Sequence, residues 1–573
     1  MKKQSLRYFL AGVMALGLPP ASLAQSGSAP AARDWTSWGY DQERTGWNRG
    51  EAQLSKDNVS KLRLQWTAQL STTPSDVVLS TLTAPVIVEG VNTGQGSKNL
   101  ALVLGADDTL FAVDADSGKP VWQKSFPNSF TAQRAGSWLC PNTANDTPAI
   151  DKQRGLVFFI TSDGRLRALA LADGAERMAP ADFVAPFARA WSLNLVDGIV
   201  YTTSGRGCGE VLDPNSAPAA ATTTLAGRPG AGAPAGGAAP PAGAVPPDPG
   251  MISAMDVRDL AHPVATHFFT SNGRPNGAWG RGGVAKTPAG IITQTADGPY
   301  DPAAGQFGSS VLELSPQVAR LLDSFTPANW KYVNAQDLDM GSGSLLTFAF
   351  QGRTLAASIG KEAVLYLLDT AALGGGAPDH ATPYLKSPQL GNDAALGTEP
   401  GQGMWGALAT YQNPQGRRFL YMPMWGPPSK NAPAFRNANG AIPNGSIMAF
   451  ELTLDGGKPS LVALWTSPDM IVPDAPTVAN GVVFATQTGE QTLQAQKLPP
   501  GAPRPTAASG AAFRATPVSN LILYAFDAET GKQLYSSKNT IKGWTHFSTP
   551  VVALGKIYVV THDAKIYAFG VSP

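Results

Sequence analysis

The chain has 573 residues, 15% of them charged, and a formal net charge of +1. So even a balance gives no electrostatic case for nucleic acid or an anionic lipid surface as partner. Gly 61, Pro 48 and Trp 13 describe a turn-rich, core-rich β protein and argue against a helical one.

Taken in chain order, the first element is a targeting segment. Lys2, Lys3 and Arg7 precede an apolar run from Tyr8 to Leu18, and small residues follow at Ala21 to Ala24. That is the layout of a secretory signal peptide, so residues 1–24 are expected to be cleaved and the protein to be periplasmic or secreted. No later stretch reads as a membrane span. Cys140 and Cys208 are the only two cysteines, and an oxidising compartment makes a single disulfide between them plausible. The sequence holds no CxxCH, which excludes a covalently attached c-type haem.

Beyond the leader, one pattern recurs: apolar runs separated by Gly or Asp turns, ending in Ala-x-Asp-x-x-x-Gly-Lys. The clearest copies are Leu110–Trp122 and Leu523–Tyr535. Weaker ones begin at Leu166, Ile252, Val364, Ile447 and Ile566. A unit of strands this short cannot bury both faces of its sheet alone, so the copies must pack radially as a β-propeller. Eight blades are expected, near residues 83–126, 147–178, 191–269, 281–325, 343–369, 404–466, 473–536 and 547–571. The last is one strand short, and the alternating run Leu62–Trp66 is expected to supply that strand and close the ring. The aromatic residue after each Gly-Lys can wedge between neighbouring sheets. Residues 214–250 and 496–519 are rich in Ala, Pro, Gly and Thr and read as disordered insertions in blades three and seven. Residues 25–573 are thus expected to form one all-β domain.

Trp38-Gly-Tyr-Asp-Gln-Glu-Arg-Thr-Gly-Trp47, followed by Asn58-Val-Ser-Lys-Leu62 and Trp66, resembles the opening of the pyrroloquinoline-quinone (PQQ)-dependent alcohol dehydrogenases. With the repeats, the resemblance spans nearly the whole mature chain. It implies oxidation of an alcohol or sugar hydroxyl with PQQ and a metal ion, calcium or a lanthanide. Electrons would pass to a separate acceptor, such as a soluble cytochrome.

The resemblance also nominates residues. Gly277-Ala-Trp-Gly280 places Trp279 where the family stacks its quinone, although a tryptophan that docks blades would look the same. Thr295-Ala-Asp-Gly298 makes Asp297 a metal ligand, and the Gly-rich turn at 204–210 offers Glu210 as another. Gln336-Asp-Leu-Asp-Met-Gly341 resembles the segment of the catalytic base. Asp337 is the expected base and metal neighbour, and Asp339 an extra ligand of the kind associated with lanthanide use. On an extended segment, carboxylates at i and i+2 point the same way. A DxD that merely caps a turn is the competing reading. Lys361 matches the cation beside the quinone carbonyls, and Arg134 the arginine that grips a cofactor carboxylate. The adjacent cysteine pair of the methanol and ethanol enzymes is missing. A cofactor-free propeller acting as a binding or scaffold protein is the alternative function.

Overall fold

Strands here are mostly unbroken apolar runs because both faces are packed. Leu156–Ile160 and Thr109–Asp114 are buried at every residue, whereas the outermost strand of the same blade, Pro120–Ser125, is exposed. Such strands need a neighbour on each side of the sheet, and a ring of sheets supplies it. The computed structural model describes residues 33–73, 81–132, 136, 140–144, 146–205, 208–209, 250–271, 277–393, 402–490 and 516–571. Residues 1–24, Arg134, Glu210 and most of the two insertions lie outside them.

The architecture is an eight-bladed β-propeller. Blade one runs in strict order through Val86–Thr93, Gly96–Leu104, Thr109–Asp114 and Pro120–Ser125, and the other blades repeat this plan, blade six within a six-stranded sheet. The fourth strand of blade eight comes from the N-terminal side. Leu62–Gln69 pairs antiparallel with Lys565–Val571, from Leu62 opposite Val571 to Gln69 opposite Lys565, so the ring closes by main-chain hydrogen bonds. Blade five extends past the expected limit at residue 369, to an outer strand Leu385–Gln389. Its sequence, Leu-Lys-Ser-Pro-Gln, carries no apolar run because its outer side faces water.

The tryptophans act between blades. Trp66 on the closing strand donates its Nε1 to the carbonyl of Ala115 in blade one, 3.2 Å away, and Trp465 of blade six donates to Ala528 of blade seven at 3.0 Å. Each ring lies on a turn glycine: a Cβ on Gly118 would stand 2.5 Å from the Trp66 ring, and one on Gly531 2.6 Å from that of Trp465. Both glycines also have φ of +72°, where other residues are disfavoured. The repeat's Asp-x-x-x-Gly-Lys is therefore a socket for the preceding blade's tryptophan.

The segment Asp34–Asn48 threads the centre of the ring. Trp35 pairs with Ile87 of blade one, and Thr36 accepts from Ile150 of blade two. Gln42, Glu43, Thr45 and Gly46 accept from Lys286, Thr347, Thr410 and Val478 of blades four to seven. Asn194 of blade three bonds the Gln42 carbonyl, and Asn48 reaches Val552 of blade eight at 2.8 Å. Every innermost strand is thus tied to one piece of chain. Trp38 packs there with Ala84, Ala407 and Ala475. Cys140 and Cys208 form a disulfide that joins the approach to blade two with blade three.

Candidate functional site: an acidic cluster beside packed tryptophans

In a propeller of this order, the segment entering each innermost strand and the turn leaving each second strand lie at the same end of the ring. At that end blades four and five bring three carboxylates together. Ligand oxygens of Asp297, Asp337 and Asp339 lie within 4.8 Å of one another. Lys361 bridges two of them, its Nζ 2.7 Å from Asp337 Oδ1 and 2.6 Å from Asp339 Oδ1.

Asp297 sits in the turn after the second strand of blade four. The same turn in blades two and eight holds Asp163 and Asp563, which accept from their own Thr161 and Thr561 hydroxyls at 2.6 and 2.5 Å. Thr295 instead donates to the carbonyls of Phe307 and Ser310, so the Asp297 carboxylate is turned to the cluster. A second element holds it there. Asn334 donates to the Gly298 carbonyl, and its Oδ1 accepts from Gly298 N–H at 3.4 Å and the Ser309 hydroxyl at 2.7 Å.

Asn334 belongs to the short helix Trp330–Ala335, which delivers Asp337. The expectation of an extended segment is corrected here. Asp337 follows the helix C-cap Gln336 in the left-handed region, φ 54°, with its N–H toward Asn334 and the Leu338 N–H on the Val333 carbonyl at 2.9 Å. Leu338 packs on Val333. This is a Schellman end, normally finished by glycine. Asp339 follows with ordinary dihedrals at the start of the 3-10 turn Met340–Ser342 and makes no side-chain cap there. Turn capping therefore does not explain this carboxylate.

Lys361 is held by its backbone: its N–H points to the Asp339 carbonyl, and its own carbonyl accepts from Asn392 at 2.7 Å. Gly360 permits the approach, since a Cβ on it would stand 2.5 Å from the Asp339 carbonyl. The Lys361 and Asp339 side chains are 3% and 0% exposed, whereas that of Asp337 is 50% exposed, so Asp337 faces the open side.

Behind Lys361 lies a packed aromatic cluster. The ammonium is 5.6 Å from the Trp279 ring and 4.9 Å from that of Trp405. Trp405 stacks on Trp425 at 5.1 Å and on Phe547 at 6.5 Å, and Trp191 completes the cluster. Trp279 is 2% exposed and Trp405 leans on it at 55°, so a flat ligand stacking on Trp279 requires Trp405 to swing aside. Further round, Arg281 and Asp474 are buried, and His546 Nδ1 lies 2.6 Å from Glu490 Oε2. Burial lowers Arg281 to about 10 and raises Asp474 to about 6. Arg281, within Gly280-Arg-Gly-Gly-Val284, is a buried residue that the sequence alone does not single out.

Of the nominated residues, the fold thus gathers Trp279, Asp297, Asp337, Asp339 and Lys361, while Arg134 and Glu210 lie outside the described residues. The donor set suits a hard cation. Three carboxylates against one ammonium leave excess negative charge, and all the donors are oxygens.

A family model described as outer membrane protein assembly factor BamB matches residues 63–213. No functionally curated protein matches the chain. Among solved structures, a quinohemoprotein alcohol dehydrogenase from Comamonas testosteroni aligns over 95% of this chain and 82% of its own, at 16% identity and a TM-score of 0.54. A europium-containing methanol dehydrogenase aligns over 95% and 98%, at 12% identity and 0.54. A quinohemoprotein alcohol dehydrogenase from Pseudomonas putida HK5 aligns over 94% and 80%, at 12% and 0.52. The fold of this chain is the eight-bladed β-propeller that these alcohol and methanol dehydrogenases share.

Proposed function

We propose that the protein is a periplasmic quinoprotein dehydrogenase that oxidises an alcohol or sugar hydroxyl with PQQ and a metal ion. The observation that carries this reading is the convergence of Asp297, Asp337 and Asp339 around Lys361, beside Trp279 and Trp405. Asp297, Asp337 and Asp339 would hold calcium or a lanthanide, and the aromatic wall with Lys361 would hold the quinone. When bound, the quinone supplies a two-electron acceptor and the metal a Lewis acid.

The chain's own residues supply the acid–base chemistry. Asp337 is the half-exposed member of the cluster, and it takes the substrate hydroxyl proton. Asp339, buried and paired with Lys361, fixes the ammonium in place, where it stabilises negative charge developing beside the aromatic cluster. With no haem attachment motif in the chain, electrons leave to a separate acceptor such as a soluble cytochrome. The disulfide and the leader-like N-terminus support export to the periplasm or beyond.

The assembly-factor match favours a second reading, a scaffold propeller without cofactor. That match covers blades one and two and the first two strands of blade three, and none of the acidic cluster. One experiment separates the two. Purified protein is incubated with PQQ and calcium or lanthanum, then assayed on alcohols and sugars with an artificial dye. Turnover lost in Asp337→Ala supports the dehydrogenase, and absence of quinone binding with either metal sinks it.

A further inference from the structure

Lys361 reaches into the acidic cluster, and its neighbour Glu362 reaches the far end of the helix that delivers Asp337. Glu362 Oε1 accepts from Asn329 Nδ2 at 2.6 Å, and Oε2 accepts from the Tyr366 hydroxyl at 3.4 Å. Tyr366 stands on the third strand of blade five, Val364–Asp369, so the carboxylate is anchored in the blade. Asn329 is the N-cap of the helix Trp330–Ala335. An asparagine there ordinarily turns its side-chain oxygen onto a free N–H of the first turn. This one makes no such bond, and its Oδ1 has no hydrogen-bond partner. An ionised carboxylate only accepts, so the amide presents its Nδ2 to Glu362 and the cap is given up.

A helix of six residues is too short to hold itself in water. Without a side-chain cap, its position depends on attachments to the blades on either side. Asn334 binds Gly298 and Ser309 of blade four, and Asn329 binds Glu362 of blade five. Lys361 meets the same segment at its other end, 2.7 Å from Asp337 Oδ1. Two consecutive residues of blade five therefore grip both ends of the stretch that carries the half-exposed carboxylate.

We infer that Glu362 is a positioning residue for Asp337. By holding Asn329 it fixes the placement of the helix, and with it the direction in which Asp337 meets a substrate hydroxyl or a cation. The effect on proton transfer rests on the reading of Asp337 as the base of a dehydrogenase, whereas the effect on cation binding does not.

Full-length wild type, Glu362→Ala, Glu362→Gln and Asn329→Ala are compared by terbium titration and, with PQQ and calcium or lanthanum, by kcat and KM on an alcohol or sugar that wild type oxidises. Glu362→Ala is expected to weaken terbium binding about 10-fold and to lower kcat about 10- to 100-fold, with KM changed far less. Glu362→Gln keeps an acceptor for Asn329 and retains most of both. Asn329→Ala breaks the same bond from the other side, so it matches Glu362→Ala and adds nothing to it. In an Asp337→Ala background, Glu362→Ala leaves terbium affinity unchanged, because Asp337 is the residue it places. Unchanged affinity in Glu362→Ala, an equal loss with and without Asp337, or weaker binding with kcat intact overturns the assignment. Where wild type oxidises nothing, the dehydrogenase reading falls and terbium alone decides. Wild type that binds no terbium overturns the assignment too. If Glu362→Ala does not fold, Asn329→Ala carries the test under the same criteria.

Discussion

A carboxylate occupies the position at Asp337 where a helix end ordinarily has glycine. Its φ of 54° is tolerated by aspartate but strained for any residue with a Cβ. The side chain so placed lies in the acidic cluster with Asp297 and Asp339. Asp337→Gly is therefore expected to raise stability by about 0.5–1 kcal/mol in urea denaturation while abolishing turnover. A fall in stability would show that the aspartate serves the fold instead. Asp108 illustrates a different effect. Burial pushes it up to about 7, although Ser162 donates to it from both its N–H and its hydroxyl. A raised carboxyl contributes its full stability below its unfolded value near 3.8 and loses it as pH rises through about 7. Asp108→Asn keeps an acceptor and no longer titrates, so its stability relative to wild type should increase from pH 4 to pH 8. Melting temperatures across that range would check it. At this scale the DxD motif, Asp297 and Lys361 were legible because their neighbours match a known pattern. Arg281 was not, since nothing local reveals that it is buried.

At the scale of elements, the site is built by stitching a helix to a turn. Asn334 on the helix binds Gly298 and Ser309, and so keeps Asp297 opposite Asp337. Asn334 touches no ligand oxygen of the cluster in this arrangement, so it positions Asp297 through the turn. Asn334→Ala should lower metal affinity about 10- to 100-fold and leave the pH dependence of turnover in place, measured by lanthanide titration alongside pH–rate profiles. An unchanged affinity would mean that Asp297 is held by its own turn. Sequence periodicity found the strands with two buried faces and the aromatic residues that wedge between sheets, because those constraints are local, but not the turn glycines on which the rings of Trp66 and Trp465 rest. It misjudged the backbone at 337, where tertiary packing of Leu338 on Val333 fixes a helix end. The outer strand of blade five escaped because only its hydrogen bonds, not its side chains, mark it as a strand.

For the molecule as a whole, closure depends on two pieces of the same N-terminal stretch. Leu62–Gln69 completes blade eight, and Asp34–Asn48 ties the innermost strands together. The first was legible as an alternating strand beside a blade lacking one. The second was not, because a run of polar residues and glycines acquires its meaning only from partners hundreds of positions away. Trp38 lies where several blades meet, so Trp38→Ala should cost about 3–5 kcal/mol and raise hydrogen exchange in the innermost strands of separate blades together. Exchange confined to one blade would show that the segment is merely a local cover.

At one end of the ring three aspartates converge near tryptophans as a candidate hard-cation site. Terbium titration with excitation of tryptophan reads that arrangement directly, because sensitised emission requires the ion to lie close to an indole. One site per chain is expected, with emission suppressed by excess lanthanum and lost in Asp339→Asn. Absent emission, or emission indifferent to Asp297, Asp337 and Asp339, would contradict it.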